Sequence, residues 1–355
     1  MKTIGTCGFC STGSSAVSDY LKEFDENQVL DNNEFTIAYL PDGLCDLEYH
    51  LMKHSIRDDS SSLAIPRFRR FISKYKSRIV ASGSITSAGF DELVESYMNS
   101  LIQISFRSNR RSDYLLFPSK IYQYLAPRIT QKLILPLNRK YGHPITKFFP
   151  CRDVEVSVNP ECFYKSSKEF IHKLLELSGA DFNRNIVLDQ AFPGDDPTCC
   201  FQFFENPKAI VVDRDPRDNY LFTKKVLYKK HINIMPVDTV EHFCTYYRVL
   251  RHNRPYKQEK PNVMVMNFEE MVYDYDNATK KIRDFCDLKE NLHPFSIFDP
   301  KVSAPNTQLF LRFPEFADDI KYIEKNLSEY LFDFAKYPQP DMSGPMFRGK
   351  SPLNK

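Results

Sequence analysis

The sequence predicts an α/β fold of three layers, a central parallel sheet with a mainly helical insertion, and three observations predict it. Residues 185–189 (NIVLD), 209–213 (AIVVD) and 263–267 (VMVMN) are short apolar runs that each close on a polar residue. That is the pattern of strands buried on both faces of a parallel sheet. The intervals between strands leave room for the crossovers that parallel pairing requires. Finally, the chain opens with a strand, a loop of small residues and a helix in immediate succession.

In chain order, the first strand is expected over residues 2–9 and the loop over Cys10 to Ser15. Val17, Leu21 and Phe24 then fall at i, i+4 and i+7, one apolar stripe of a helix. Residues 50–180 read as a helical insertion or cap, broken by Pro118, Pro127, Pro136, Pro144 and Pro150. Within it, Ser166 and Glu169 have capping-box spacing ahead of the apolar face Phe170, Ile171, Leu174 and Leu175. The three apolar strands follow, and the last helix is expected from Phe316 to Phe334, with Ile320, Ile323, Leu327 and Leu331 on one side. Residues 338–355 have the composition of an irregular tail, so the whole of 1–355 is expected as a single domain.

Composition excludes several classes. With 42% hydrophobic and 26% charged residues the chain is not disordered, and 29 Phe with 20 Tyr supply core bulk in place of Trp. A net charge of +2 gives no general attraction to nucleic acid or anionic membrane, so an anion site must be local and nucleic acid is not an expected partner. No run of about 18 apolar residues occurs and the start MKTIG lacks a signal peptide's apolar stretch, which predicts a cytoplasmic protein without a transmembrane segment. The nine scattered cysteines are expected as thiols. Cys7 and Cys10 form a C-x-x-C without a second pair at zinc spacing, so no metal is expected.

Two constellations carry chemistry. Gly8 to Ser15 (GFCSTGSS) has the G-x-x-x-x-G frame of a P-loop, with Ser14 where a nucleotide triphosphatase needs lysine. What remains is a set of backbone amides at a helix N-terminus, with hydroxyls from Ser11, Thr12, Ser14 and Ser15, able to grip one phosphate. The same residues also suit an ordinary Ser/Gly turn. Secondly, the 209–213 strand runs into Arg214-Asp215-Pro216-Arg217-Asp218. A guanidinium at a strand's carboxyl end suits a bidentate grip on a second phosphate, and a solvated charge cluster is the plainer alternative. Arg217 has Asp215 and Asp218 as neighbours to pair with and reads as structural.

At these motifs the chain resembles the sulfotransferases that use 3′-phosphoadenosine 5′-phosphosulfate, in particular bacterial-type carbohydrate sulfotransferases. Ser11-Thr12-Gly13-Ser14-Ser15 is similar to their 5′-phosphosulfate loop, and Val212 to Asp218 (VDRDPRD) to their 3′-phosphate motif. Val263 to Leu288 is similar to their late strand, acidic pair and helix. The resemblance implies a P-loop-type fold and metal-free, in-line transfer of the sulfuryl group to a hydroxyl or amine. It also implies that Ser11 to Ser15 hold the 5′ end and Arg214 the 3′-phosphate. Two positions depart from the family: Ser11 stands where members carry Lys or Arg, and Phe222 where they carry Ser, with Thr223 next to take its place. Arg348 resembles the basic C-terminal element that covers the nucleotide in some members. The family's general base often ends the strand before the arginine strand, which makes Asp189 the candidate catalytic base, its pKa raised by burial beside Phe192; a structural carboxylate bonded to loop amides is the alternative.

The arginines Arg67, Arg69, Arg70, Arg107, Arg110 and Arg111 make the cap locally basic and, with the many aromatic rings, suggest a glycan or glycan-precursor acceptor; solvated helix faces explain them as well. Two other readings stand beside sulfuryl transfer. A P-loop kinase would need the missing lysine, and a catalytically degenerate nucleotide-binding protein would agree with Ser11. The sequence does not specify the oligomeric state.

Overall fold

A computed structural model describes residues 1–31, 33–55, 58–81, 86–108, 126–142, 152–251, 260–338, 344 and 346. The chain divides into two compact units: Met1–Thr36 with Gly179–Lys355, and Ile37–Ser178.

The first unit is α/β. Its sheet comprises β1 (Thr3–Gly8), β2 (Asn27–Leu30), β3 (Asn185–Asp189), β4 (Pro207–Asp213) and β5 (Val263–Asn267). The order is β2-β3-β1-β4-β5 and every pairing is parallel. The three apolar runs are the expected strands. The edge strand β2 carried no clear signal because two of its four residues are Asn and Gln. β2 and β3 lie on one side of β1 and β4 and β5 on the other, so the order reverses at β1, and in such sheets ligands bind beyond the carboxyl ends at that point.

One face buries Ile4, Val187, Ile210, Val212 and Met266 against Val17, Tyr20 and Leu21 of the Ser14–Leu21 helix and Ile282 of the Tyr275–Cys286 helix. Each such side chain contributes about 1.5–3 kcal/mol when taken from water. A further cluster joins Tyr220, Phe243, Tyr247, Ile320, Ile323 and Leu327. The expected helix from Phe316 to Phe334 is shorter, Ala317–Asn326, and gives way to separate turns at Ser328–Tyr330 and Phe334–Lys336. Tertiary bonds explain the break. Arg248 Nη2 donates to the Asn326 carbonyl, and the Phe332 amide is diverted to Asp215 Oδ2 at 2.9 Å instead of a helical carbonyl.

The second unit has helices at Leu44–Glu48, Asp58–Ala81, Ser87–Leu101, Ala126–Ile129, Leu135–Tyr141 and Phe163–Leu177, with an antiparallel ribbon of Ile104–Ser108 and Arg152–Val156. Ser166 is not a cap, because that helix starts three residues earlier and the Ser166 amide bonds to the Cys162 carbonyl at 2.8 Å. Burial of Phe163, seven residues before Phe170 on the same stripe, favours the extra turn. Pro127 lies in the first turn of a helix, where the missing N–H costs nothing, and Pro136 lies where the π-helical turn Thr130–Ile134 passes into the Leu135–Tyr141 helix; Pro118, Pro144 and Pro150 lie outside the described residues.

Three of the arginines expected to make residues 50–180 basic have carboxylate partners among the described residues. Arg67 pairs with Asp42 at 3.0 Å, Arg69 with Glu155 at 2.9 Å and also with Glu95, and Arg107 with Asp153 at 4.0 Å; Arg110 and Arg111 lie outside the described residues. Among the described residues no helix is long and apolar enough to cross a membrane.

Candidate functional site

The carboxyl ends of β1, β4 and β5 are in register, Gly8 beside Val212 and Asp213 beside Asn267, so the segments that follow them emerge together. After β1 the chain folds back on itself. Thr12 Oγ1 donates to the Phe9 carbonyl at 2.7 Å and accepts from the Phe9 amide at 3.1 Å. The Thr12 hydroxyl, expected to grip an anion, is thus spent within the loop, and Thr12 is buried. Ser11 at φ 61° and Gly13 at φ 91° are left-handed, the kind of bend that lets neighbouring amides converge on an anion. Gly13 is the N-cap of the Ser14–Leu21 helix; its carbonyl accepts from the Ala16 amide at 3.0 Å, and the Ser14 and Ser15 amides come before the first acceptor of the helix.

Close approach fixes the glycines. A Cβ on Gly13 would lie 2.7 Å from the Phe268 ring, and one on Gly8 would lie 2.5 Å from both Thr12 Oγ1 and the Val212 carbonyl. Gly8→Ala is therefore expected to lower stability by about 1–3 kcal/mol, since a backbone atom cannot step aside as a side chain can. Chemical denaturation checks this, and a loss under about 0.5 kcal/mol would contradict the close packing.

The arginine turn is bonded to this loop. Arg214, 5% exposed, donates from Nη1 to the Ser11 carbonyl at 3.3 Å and from Nη2 to the Asn306 carbonyl at 2.6 Å. Asn219, on the Pro216–Phe222 helix, donates from Nδ2 to the Cys10 carbonyl at 3.0 Å. Two successive loop carbonyls are thereby held toward the arginine turn, and their lone pairs are neutralised. Arg214 lies over the rings of Phe222 and Phe268, 5.3 and 5.2 Å from their centroids. Its Nε is buried and has no hydrogen-bond partner among the described residues.

The other charges of the motif brace the surrounding chain. Arg251 forks onto Asp213 with bonds of 2.6 and 3.0 Å, and its guanidinium lies 4.1 Å from the Phe9 ring centroid. Arg217 binds Asp215 through Nε at 3.0 Å and Nη2 at 2.8 Å, and Glu324 at 2.9 Å, which bears out its structural reading. Asp218 accepts from the Gln308 and Leu309 amides, both at 2.7 Å. Burial first, and then the charge of Asp215, push the Asp218 carboxyl up to about 7, with Arg214 opposing. Glu269 accepts from the Asp215 amide at 3.0 Å, and its burial holds the carboxyl well above the usual range.

Asp189 ends β3 next to β1. Burial, then the charges of Glu34 and Asp31, raise its pKa to about 6, and its buried Oδ1 has no hydrogen-bond partner among the described residues. The next residue, Gln190, is left-handed at φ 54° and donates from Nε2 to Ser14 Oγ at 2.9 Å. The base candidate therefore adjoins a residue bonded to the loop. Ser11 is half-buried and Ser15 exposed. Thr223 is buried, its Oγ1 without a partner among the described residues, and no bond joins it to the loop there. Arg348 lies outside the described residues. Cys7 is buried within β1, its thiol directed to the Ile210 carbonyl; burial raises both the Cys7 and Cys10 thiols, the reverse of a reactive thiolate pair.

Gln190, Asn219, Arg251 and Asn306 escaped the sequence reading, and Glu269 entered it only as one of the acidic pair after the last strand. Gln190 had a faint signal, a polar residue directly after a strand end. Arg251 and Asn306 had none, since they reach the motif only through the fold. No family model matches the chain, and no curated protein matches it.

Proposed function

We propose that the chain is a P-loop-type sulfotransferase that binds 3′-phosphoadenosine 5′-phosphosulfate and moves its sulfuryl group to an acceptor hydroxyl or amine. The observation that carries the reading is the bonding of the arginine turn to the small-residue loop. Arg214 and Asn219 together hold the Ser11 and Cys10 carbonyls away, at a point where two separate motifs meet beyond the sheet. A buried guanidinium whose direct hydrogen bonds, among the described residues, go to carbonyls supplies positive charge beside the loop.

In this reading the 5′-phosphosulfate lies on the loop amides at the helix N-terminus. A 3′-phosphate bound by Arg214 would have to replace the Ser11 or Asn306 carbonyl at a guanidinium nitrogen. The acceptor oxygen attacks sulfur, the bond from sulfur to the bridging oxygen breaks, and its electron pair leaves with 3′,5′-ADP. Asp189 takes the acceptor's proton. With Ser11 where the family has a cation, charge on the departing phosphate falls to the amides, the Ser14 hydroxyl and the Arg214 field.

The test is a calorimetric comparison of 3′,5′-ADP with ATP and Mg²⁺, followed by transfer of labelled sulfate from the donor to a pool of acceptors. Preferential binding of 3′,5′-ADP with transfer is expected. Preference for ATP with Mg²⁺ would overturn the reading in favour of a kinase, and tight 3′,5′-ADP binding without transfer would make the chain a binding protein.

Asp189 gives a pH signature. As a base it must be ionised, so kcat/KM should rise with pH through about 6 and lose that limb, with most of its magnitude, in Asp189→Asn. Stability runs the other way. The folded-state pKa lies above the 3.8 of an unperturbed aspartate, so the stability contributed by protonation is complete below about 3.8 and is lost as pH rises through about 6. Asp189→Asn, which stays neutral, should therefore be more stable than the parent at pH 8 by up to about 3 kcal/mol and close to it at pH 4. Equal stability differences at the two pH values would remove the buried carboxylate from the argument.

A further inference from the structure

The contact between Gln190 and Ser14 decides which way a hydroxyl proton points. Gln190 Nε2 carries only donors, so at 2.9 Å the Ser14 oxygen is the acceptor. Its own proton is then left to give elsewhere. Ser14 is the first residue of the Ser14–Leu21 helix, directly after the left-handed Gly13, and its side chain is 9% exposed. One turn further along the helix, Ser18 Oγ is engaged with Thr6 Oγ1 at 2.6 Å.

We propose that Gln190 is a positioning residue for the anion loop: by donating to Ser14 Oγ it commits the Ser14 hydroxyl to act as a donor toward a bound phosphate. The inference rests on the loop being a phosphate site. Gln190 holds a left-handed backbone conformation, φ 54°, that a glutamine adopts with difficulty, and that conformation brings its amide back to the loop. Without this donor Ser14 would be free to turn its proton into the protein, and a lone pair would face the anion. Gln190 also follows Asp189, so the same strand end carries the proposed base and the group that sets the loop's polarity.

The test is a double-mutant cycle read by calorimetric titration of the full chain with 3′,5′-ADP. Gln190→Asn keeps an amide and suits the left-handed backbone better, so it should fold at least as stably as the parent, yet it is one methylene too short to reach Ser14. Its affinity should fall roughly three- to tenfold, the worth of one aligned hydrogen bond. Ser14→Ala should cost a similar factor, and Gln190→Asn added to Ser14→Ala should change affinity less than twofold. Gln190→Met, which has no donor at any length, should repeat the pattern. Equal losses from Gln190→Asn with and without Ser14 would overturn the positioning role while leaving the phosphate site intact. A parent chain that binds no 3′,5′-ADP would overturn the phosphate site and this inference with it.

Discussion

Arg251→Ala should lower the unfolding free energy by about 3–5 kcal/mol, the typical result of removing one partner of a buried ion pair. Asp213 would be left at the end of β4 without its forked partner, and the Arg251 packing on Phe9 and Tyr247 would go as well. Urea titration at neutral pH measures the change. Because the uncompensated charge on Asp213 causes most of the loss, Asp213→Asn in the Arg251→Ala background should recover part of it. A loss under 1 kcal/mol, or no recovery, would show that the pair does not hold β4 to the loop.

Arg214→Ala is expected to weaken 3′,5′-ADP binding by about 1.5–3 kcal/mol, the worth of a charge-assisted contact. A dissociation constant unchanged from the parent would remove Arg214 from the site. The same substitution also frees the Ser11 and Asn306 carbonyls, so a fall in the melting temperature should accompany it. Arg214→Lys separates the two effects. It keeps the charge, loses the fork that spans both carbonyls, and should retain more of the affinity than of the stability.

Much of the fold was legible because buried parallel strands announce themselves. Asn185–Asp189, Pro207–Asp213 and Val263–Asn267 are nearly continuous apolar runs, and few other structures suit such runs. Asn27–Leu30 was not legible, since an edge strand of four residues is held by its neighbour and not by its composition. The capping box at Ser166 and the long helix to Phe334 failed for one reason. Local spacing was outweighed by tertiary demand, the burial of Phe163 in the first case and the pull of Asp215 on the Phe332 amide in the second.

In the candidate site, the loop and Arg214 were visible as motifs, and the raised pKa of Asp189 followed from its place at a buried strand's end. What the motifs could not reveal is how their hydroxyls and charges are used. Thr12 turns inward, and Asp213, Asp215 and Asp218 are each engaged by a distant part of the chain. The partners Arg251, Phe332, Gln308 and Leu309 lie 38, 117, 90 and 91 residues away, beyond any local pattern.

The bond from Arg214 to the Ser11 carbonyl spans 203 residues, and β1 acquires its two neighbours only when β3 and β4 exist. During synthesis the N-terminal strand must therefore wait, with Ile4 and Cys7 unburied, until about 200 further residues have emerged. At roughly 5–20 residues per second that delay is on the order of 10–40 s. For that interval the apolar side chains of β1 stay open to chaperones and to aggregation, and the loop of Cys10 to Ser15 takes its bonded form only after the arginine turn has been made.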